Sequence, residues 1–501
     1  MIIGLVSWTM SARSSANARK LDANELSHRL GPWSGGDGPL YLQLASAIAT
    51  LIDEGVLGDG DLLPAERSLA AELSVSRGTV VASYEKLSEL GAVQRRQGSG
   101  TRVVASSASY RALDEPRLSD SLFDTRRHSI DMLLAVNQIT PIVFDVIQQV
   151  RLDARPELLD SSEPAGLAPL RVAIAEHFTR NGLPTTAEQI VVTNGAQQAV
   201  ALLVDLVVRP GDVVLTESTT WPGLVDLVRS RGARVHGVAM DHDGIVVDDL
   251  IASIDRLRPT LIALNPHHHN PTGSRLAAHR RPLVADAAAD YGVPLLEDRV
   301  VASLAFDHHV APPLAACRPD GVNFVADSIN KVAWPGLRIG WVRADAQAIH
   351  QLRARKAAMD LFAPLPSQLM ALAVLENFDR IRADRVAQLE HRSRVLADAL
   401  SAQLPTWRQH PVRGGLVTWV ELPEGAASDF ARFAARFGVS VAGSREFASS
   451  SYVDDHLRLP YTNPPAQIEE AVRRLAAAWA AYEPGMVASP MTSELATASL
   501  V

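Results

Sequence analysis

The chain has 501 residues, of which 47% are hydrophobic and 21% charged, and its net charge is −8. That length exceeds the roughly 250 to 300 residues at which a single core stops growing, so at least two domains are expected, and the composition excludes disorder throughout. The negative balance gives nucleic-acid binding no bulk support. The one cysteine, Cys317, excludes an internal disulfide and fits a reducing compartment. No apolar run approaches the roughly 20 residues needed to span a bilayer.

Residues 1–38 read as a partly disordered extension. Met1 to Met10 has an apolar patch without a preceding basic residue, a poor signal peptide, and Met10 is as good a candidate initiator as Met1. Between 39 and 105 three helices are expected. Leu42, Ala45, Ile48, Ala49 and Ile52 recur at helical spacing before a turn at Gly55, Gly58 and Gly60. A second helix starts after Pro64 and runs through Leu69 and Leu73. Ser76 caps a third from Arg77 to about Leu90, stopped by Gly91. On that third helix Val80, Tyr84 and Leu87 share an apolar face, leaving Thr79, Ser83 and Lys86 on a polar one suited to a major groove. Two short strands around Gly98-Ser-Gly100 then form a hairpin flanked by Arg95, Arg96 and Arg102. Residues 41–104 hold six Lys/Arg against eight Asp/Glu, so DNA binding there rests on where the arginines sit. Periodicity alone serves equally a three-helix domain whose arginines are merely solvated.

Residues 106–130 mix serines with both charges and read as a linker. From 131 to 485, short apolar strands (Gln189–Val192, Asp212–Leu215, Thr260–Leu264, Val293–Leu296, Val322–Val325) alternate with helical patterns. That alternation indicates an α/β domain with a largely parallel sheet, and a disordered tail over 486–501 follows. Ligands in such sheets bind beyond the carboxyl ends of strands, where the polar motifs fall. Asn194-Gly-Ala-Gln-Gln198 opens a helix and offers amides to a phosphate. Trp221 can stack on a flat ring, though a lone Trp is more often core. Asn270, in Asn265-Pro-His-His-His-Asn-Pro-Thr-Gly273, can hydrogen-bond a ring oxygen, and Asp298 can pair with a protonated ring nitrogen. In Asp327-Ser-Ile-Asn-Lys331, Lys331 can form a Schiff base and Ser328 can donate to a phosphate, which Arg338 clamps. Together these meet the needs of pyridoxal 5′-phosphate. His267, His268 and His269 are adjacent, but adjacent side chains seldom converge on one ion, so no metal is expected; one of them is expected on cofactor or substrate.

Leu63-Pro-Ala-Glu-Arg-Ser-Leu-Ala70, Val75-Ser-Arg-Gly-Thr-Val80 and Gly98-Ser-Gly-Thr101 resemble the GntR family of winged-helix bacterial regulators. That resemblance implies DNA contacts at Arg67, Arg77, Thr79, Gly98 and Gly100. Over about 135–485 the motifs resemble fold type I, the aspartate aminotransferase family. It implies phosphate contacts at Gly195, Ala196, Gln197, Ser328 and Arg338, stacking by Trp221, the ring oxygen at Asn270, the ring nitrogen at Asp298 and an internal aldimine at Lys331. It also implies a substrate carboxylate at Arg458, in His456-Leu-Arg-Leu-Pro-Tyr461, although an arginine on such a strand is often a surface residue. Two departures stand out: the family's tyrosine two or three residues after the aspartate is replaced by Val300 and Val301, and Asn330 precedes the lysine where Ser or Thr is usual.

The expected architecture is thus an N-terminal winged helix-turn-helix (α+β) joined to an α/β fold type I aminotransferase-like domain with a smaller C-terminal α+β subdomain. Its order resembles the MocR subfamily of GntR regulators. This implies a cytoplasmic homodimer that binds an operator near its own or a neighbouring gene. It implies too that the protein senses pyridoxal phosphate or an amino compound, with no membrane partner. An active aminotransferase with an accessory DNA-binding domain is the alternative, and an interaction protein with an empty pocket is a third reading.

Overall fold

The computed structural model describes residues 19–30, 33–34, 39–53, 57, 60–89, 92–96, 100–103, 129–151, 163–449 and 453–483. Gly98, Gly91, Met10, the expected linker up to residue 128 and the expected tail lie outside the described residues. Two compact units divide the chain, Met1–Pro116 and Arg117–Val501.

The first unit places helices at Ala23–Leu30, Leu40–Asp53, Glu66–Glu72 and Arg77–Glu89, followed by an antiparallel hairpin of Val93–Arg96 with Gly100–Val103. Ser76 caps the last helix as expected, its Oγ accepting the Thr79 N–H at 3.1 Å. Val80, Tyr84 and Leu87 are fully buried, and the Tyr84 hydroxyl donates to the Pro64 carbonyl at 3.0 Å. Leu44, Ile48 and Leu69 complete that core.

Two expectations need correction here. Ser83 does not lie on a free polar face: it is fully buried, its hydroxyl hydrogen-bonded to the carbonyls of Tyr41 (2.9 Å) and Thr79 (2.7 Å). A serine can be buried cheaply in a helix when its Oγ bonds back one turn, and periodicity cannot see that. The segment read as an extension also contains a helix, Ala23–Leu30, whose Leu26 and Leu30 join Leu21 in the same core. Its short length and its Asn, Ser and His content hid it.

In the second unit a seven-stranded sheet runs in the order Ile190–Thr193, Gly340–Arg343, Asn323–Ser328, Leu295–Asp298, Leu261–Leu264, Val213–Glu217, Arg234–Val238. All neighbours are parallel except Gly340–Arg343, which is antiparallel to both strands beside it. The five apolar runs of the sequence are all strands. Arg234–Val238 and Gly340–Arg343 are the additions: the first is an edge strand with polar positions, the second begins two residues after Arg338. Helices such as Ala196–Val207 and Arg280–Asp290 pack on the sheet. A smaller antiparallel sheet, Arg408–Gln409, Val417–Glu421, His456–Pro460 and Ala442–Gly443, packs with the helices Phe378–Gln403, Ala427–Ala434 and Pro465–Ala480. Ile130–Asp131 pairs with Val439–Ser440, tying the start of the unit to this smaller part.

Candidate functional site

The polar motifs converge at the carboxyl ends of the central strands. After Thr193 the chain turns through Gly195, at φ 89, and enters the helix Ala196–Val207. The first amides of a helix have no acceptor within it, so this turn offers donors to an anion. A Cβ at Gly195 would stand 3.1 Å from Arg338 Nη2 and 3.2 Å from Asn330 Nδ2, in a backbone conformation side chains avoid. Gly340 closes the same corner: a Cβ there would meet Gly195 C at 2.6 Å and Ala196 N at 2.7 Å. Arg338 is exposed and donates to the Asn194 carbonyl at 3.0 Å. Ala196 and Gln197 are half-buried on the helix's first turn. The Ser328 hydroxyl is buried and already donates to the Ile339 carbonyl at 2.7 Å while accepting the Asn330 N–H at 3.1 Å. Asn330 accepts the Ile339 N–H at 3.3 Å. Counted in the sequence as a departure, Asn330 thus turns its amide toward the glycine turn.

At the other end of the site, Lys331 Nζ donates to the Ala135 carbonyl at 2.8 Å, and its own carbonyl accepts from Asn137 Nδ2 at 2.6 Å. Burial, with the charges of Arg458 and Arg338, brings its amine down to about 8, against the pull of Asp298. Burial likewise pushes the Asp298 carboxyl up to about 6, although the Val300 N–H at 3.0 Å and the Lys331 charge work the other way. Asn265 joins the two ring-binding candidates, donating to the Asp298 carbonyl at 3.2 Å and accepting the Asn270 N–H at 3.1 Å. Arg458 is buried rather than a surface residue. It donates to Asn270 Oδ1 at 3.3 Å and to the Leu133 carbonyl, and its guanidinium lies 4.8 Å from the Phe447 ring centroid. Trp221 is half-buried, and its indole covers Gly223, where a Cβ would stand 2.3 Å from the ring. Part of this side chain therefore does serve the core.

Two of the three adjacent histidines, His267 and His269, have hydrogen-bond partners of their own. His267 Nε2 lies 2.9 Å from both Glu297 Oε1 and Arg299 Nη1, and His269 Nδ1 lies 2.9 Å from the Thr272 hydroxyl. His268 fills the space beside Gly414 and Gly415. Burial drives all three down, to about 3, 4 and 3, so they are neutral at physiological pH. Among the described residues no cluster of His, Cys, Asp or Glu is arranged to hold a metal. Val301 is buried and Val300 half-buried, and as valines neither supplies a hydroxyl.

Two features are compatible with pyridoxal phosphate. Asp298 is a half-buried acid that forms no ion pair among the described residues, as a partner for a cationic ring nitrogen should be. The glycine turn leaves a cradle that a Cβ would fill. Arg458 Nε is buried without a hydrogen-bond partner, a donor open to an anion.

Residues 129–475 match the family of class I and II aminotransferases, and residues 40–103 match the bacterial regulatory proteins of the gntR family. The chain belongs to the aminotransferase class I and II family and, by its GntR domain, is of the MocR type. This MocR-type chain is 27% identical over 469 residues to the HTH-type transcriptional regulator YjiR of Escherichia coli, covering 87% of this chain and 99% of that one. It is 28% identical over 382 residues to the HTH-type pyridoxine biosynthesis transcriptional regulator PdxR of Corynebacterium glutamicum, with 75% and 81% covered. Among solved structures it is similar to an archaeal alanine:glyoxylate aminotransferase, with a TM-score of 0.69 and 25% identity over 74% of this chain and 97% of that one. It also shares its fold with the α-aminoadipate aminotransferase LysN of Thermus thermophilus, at a TM-score of 0.67 and 24% identity, covering 74% and 96%.

On the DNA-binding unit of this MocR-type chain, Arg67 and Arg77 are exposed, Thr79 is half-buried with its hydroxyl 2.9 Å from that of Ser76, and Gly100 is exposed at φ 82. Arg77 Nη2 lies 3.7 Å from Glu66, a solvent-exposed pairing of little strength. Two hairpin arginines are engaged within the unit: Arg95 with Glu66 and Glu85, Arg102 with the Gly60 carbonyl. Sequence reasoning missed Asn137 and Ala135, whose roles come from distant segments and leave no local pattern, and Asn265, which bonds Asn270 within one motif. The signal for Asn265 was its place at the end of a strand, two residues before the histidine run.

Proposed function

We propose that this chain is a transcription regulator that holds pyridoxal 5′-phosphate through Lys331 and changes its grip on DNA when cofactor or an amino compound binds. The observation that carries this reading is the environment of Lys331 Nζ. A half-buried amine brought down to about 8 is far more often neutral at pH 7 than an ordinary lysine, as attack on an aldehyde requires. Bound here, the cofactor would supply an aldehyde and an electron-withdrawing ring. Gly195, Ala196, Gln197 and Arg338 would hold its phosphate, with Ser328 bracing the loop through the Ile339 carbonyl. Asp298 would keep the proton on the ring nitrogen, Asn270 would meet the ring oxygen and Trp221 the ring face. Buried Arg458 suits a carboxylate, and the pyridoxine-biosynthesis name of one relative supports a vitamin-related effector. Arg67, Arg77, Thr79 and the hairpin glycines Gly98 and Gly100 would face DNA, in a homodimer. The effector acts only if it favours one arrangement of the DNA-binding modules over another.

The test is visible absorbance of the purified protein combined with its DNA affinity. Pyridoxal phosphate should give an absorbance band, and that affinity should shift when cofactor or an amino compound is added. A protein that takes up no cofactor, or whose DNA affinity ignores both, sinks the proposal. The same depressed lysine and intact Arg458 favour a second reading, an active aminotransferase. Sustained keto acid formation over many turnovers from a panel of amino donors would establish it, while Val300 in place of a phenol argues for half-reaction or none.

A further inference from the structure

Lys356 and Asp360 end the helix Ala346–Asp360, and nothing in the sequence motifs assigns them a role. Lys356 is completely buried, and its Nζ lies 2.6 Å from Asp360 Oδ1. The other carboxylate oxygen, Oδ2, accepts from Asn194 Nδ2 and from Gln198 Nε2, both at 2.6 Å. Gln198 in turn accepts the Asn194 N–H at 2.7 Å, and the Asn194 carbonyl accepts from Arg338. A circuit thus runs from a buried ammonium through one carboxylate to both flanks of the glycine turn and to the arginine beside it.

Stability alone is a weak account of the pair. Removing an ammonium from water is costly, and an apolar pair of the same shape is often as stable or more so. Leu361, the next residue, takes φ 64 and ψ −67, a conformation a leucine rarely adopts, in a tight turn closed by the Phe362 N–H on the Asp360 carbonyl at 2.8 Å. The Lys356 bond and this turn together hold Asp360 in place at the helix end. What the carboxylate does accomplish is to fix two amide side chains that frame the turn, with short, charge-assisted bonds.

We infer that Lys356 and Asp360 are a positioning pair for the phosphate cradle: they hold Asn194, Gln198 and, through the Asn194 carbonyl, Arg338 in the geometry that receives the cofactor's phosphate. The inference rests on the proposed reading of residues 194–198 as that phosphate's site. It makes a statement about ligand class that a merely structural pair would not: the pair matters for a phosphorylated pyridoxal and not for the unphosphorylated form.

The experiment titrates full-length protein, freed of cofactor, with pyridoxal phosphate and separately with pyridoxal, following the absorbance that depends on Lys331. Two variants are compared, Asp360→Asn and the shape-conserving Lys356→Met with Asp360→Leu. The double variant should weaken pyridoxal phosphate by roughly 10- to 100-fold, the range seen when outer partners of a ligand-binding group are removed. Asp360→Asn, which keeps an acceptor, should lose less, and pyridoxal should bind both variants as it binds the unaltered protein. Equal weakening of the two ligands makes the pair merely structural and overturns the inference, as does an unchanged affinity for pyridoxal phosphate. If the unaltered protein takes up neither ligand, the cofactor reading itself fails and this inference goes with it; uptake by the unaltered protein separates the two failures.

Discussion

The two units hold their functional side chains in opposite ways. Arg67 and Arg77 of the first are exposed, while Lys331, Asp298 and Arg458 of the second lie in surroundings that pull each away from its usual acidity, to about 8, 6 and 10. On the proposed reading, the difference follows from the ligand. A DNA backbone brings a dense line of charge and needs only cations that stay ionised and reach outward. A small amino compound must be gripped by a few groups whose protonation is tuned, and burial does the tuning.

The comparison can be broken first at Lys331. Lys331→Ala should abolish the cofactor absorbance entirely while leaving basal DNA affinity in place; retained absorbance would move the anchor elsewhere. Next is Arg458→Met, which leaves no partner for a buried carboxylate. The loss should be on the order of 2 to 3 kcal/mol, roughly 30- to 150-fold, in effector affinity measured by titration. An unchanged affinity would show that the effector uses no carboxylate there.

A smaller effect sharpens the contrast through pH. The folded-state carboxyl of Asp298 is raised from 3.8 to about 6. A raised acid means the native state holds more protons than the unfolded one between those values. Its contribution to stability is therefore full below about pH 4 and is lost as pH rises toward 6. In cofactor-free protein, Asp298→Asn should flatten that part of the melting profile; parallel profiles would show that Asp298 is not the acid responsible. The smallest effect belongs to the exposed unit. Arg67→Ala and Arg77→Ala should each weaken DNA binding several-fold and reduce the salt slope by roughly 1 per lost phosphate contact. No change in slope from either variant would put the contact surface elsewhere.

Both architectures were legible in the sequence because helix caps, apolar periods and motif order are local properties. Ser76, Gly195 and Lys331 could be placed from neighbours a few residues away. What sequence could not show was long-range: Ser83 bonds to Tyr41, Asn137 to Lys331, Asp360 to Asn194. Arg458 illustrates the same limit, since only the fold turns a charged residue on a strand into a buried one. Ser328 shows the converse, a motif residue whose hydroxyl the fold has already committed to Ile339.

The helix Ala23–Leu30 carries a practical consequence. The region recognisable as GntR-like begins at residue 40, yet Leu21, Leu26 and Leu30 are buried in the core of that unit and Asn24 bonds to Glu72. A fragment trimmed to the recognisable region would uncover three leucine sockets, at roughly 1.5 to 3 kcal/mol each. Homology therefore marks where this domain is shared with its relatives, not where it becomes able to stand alone.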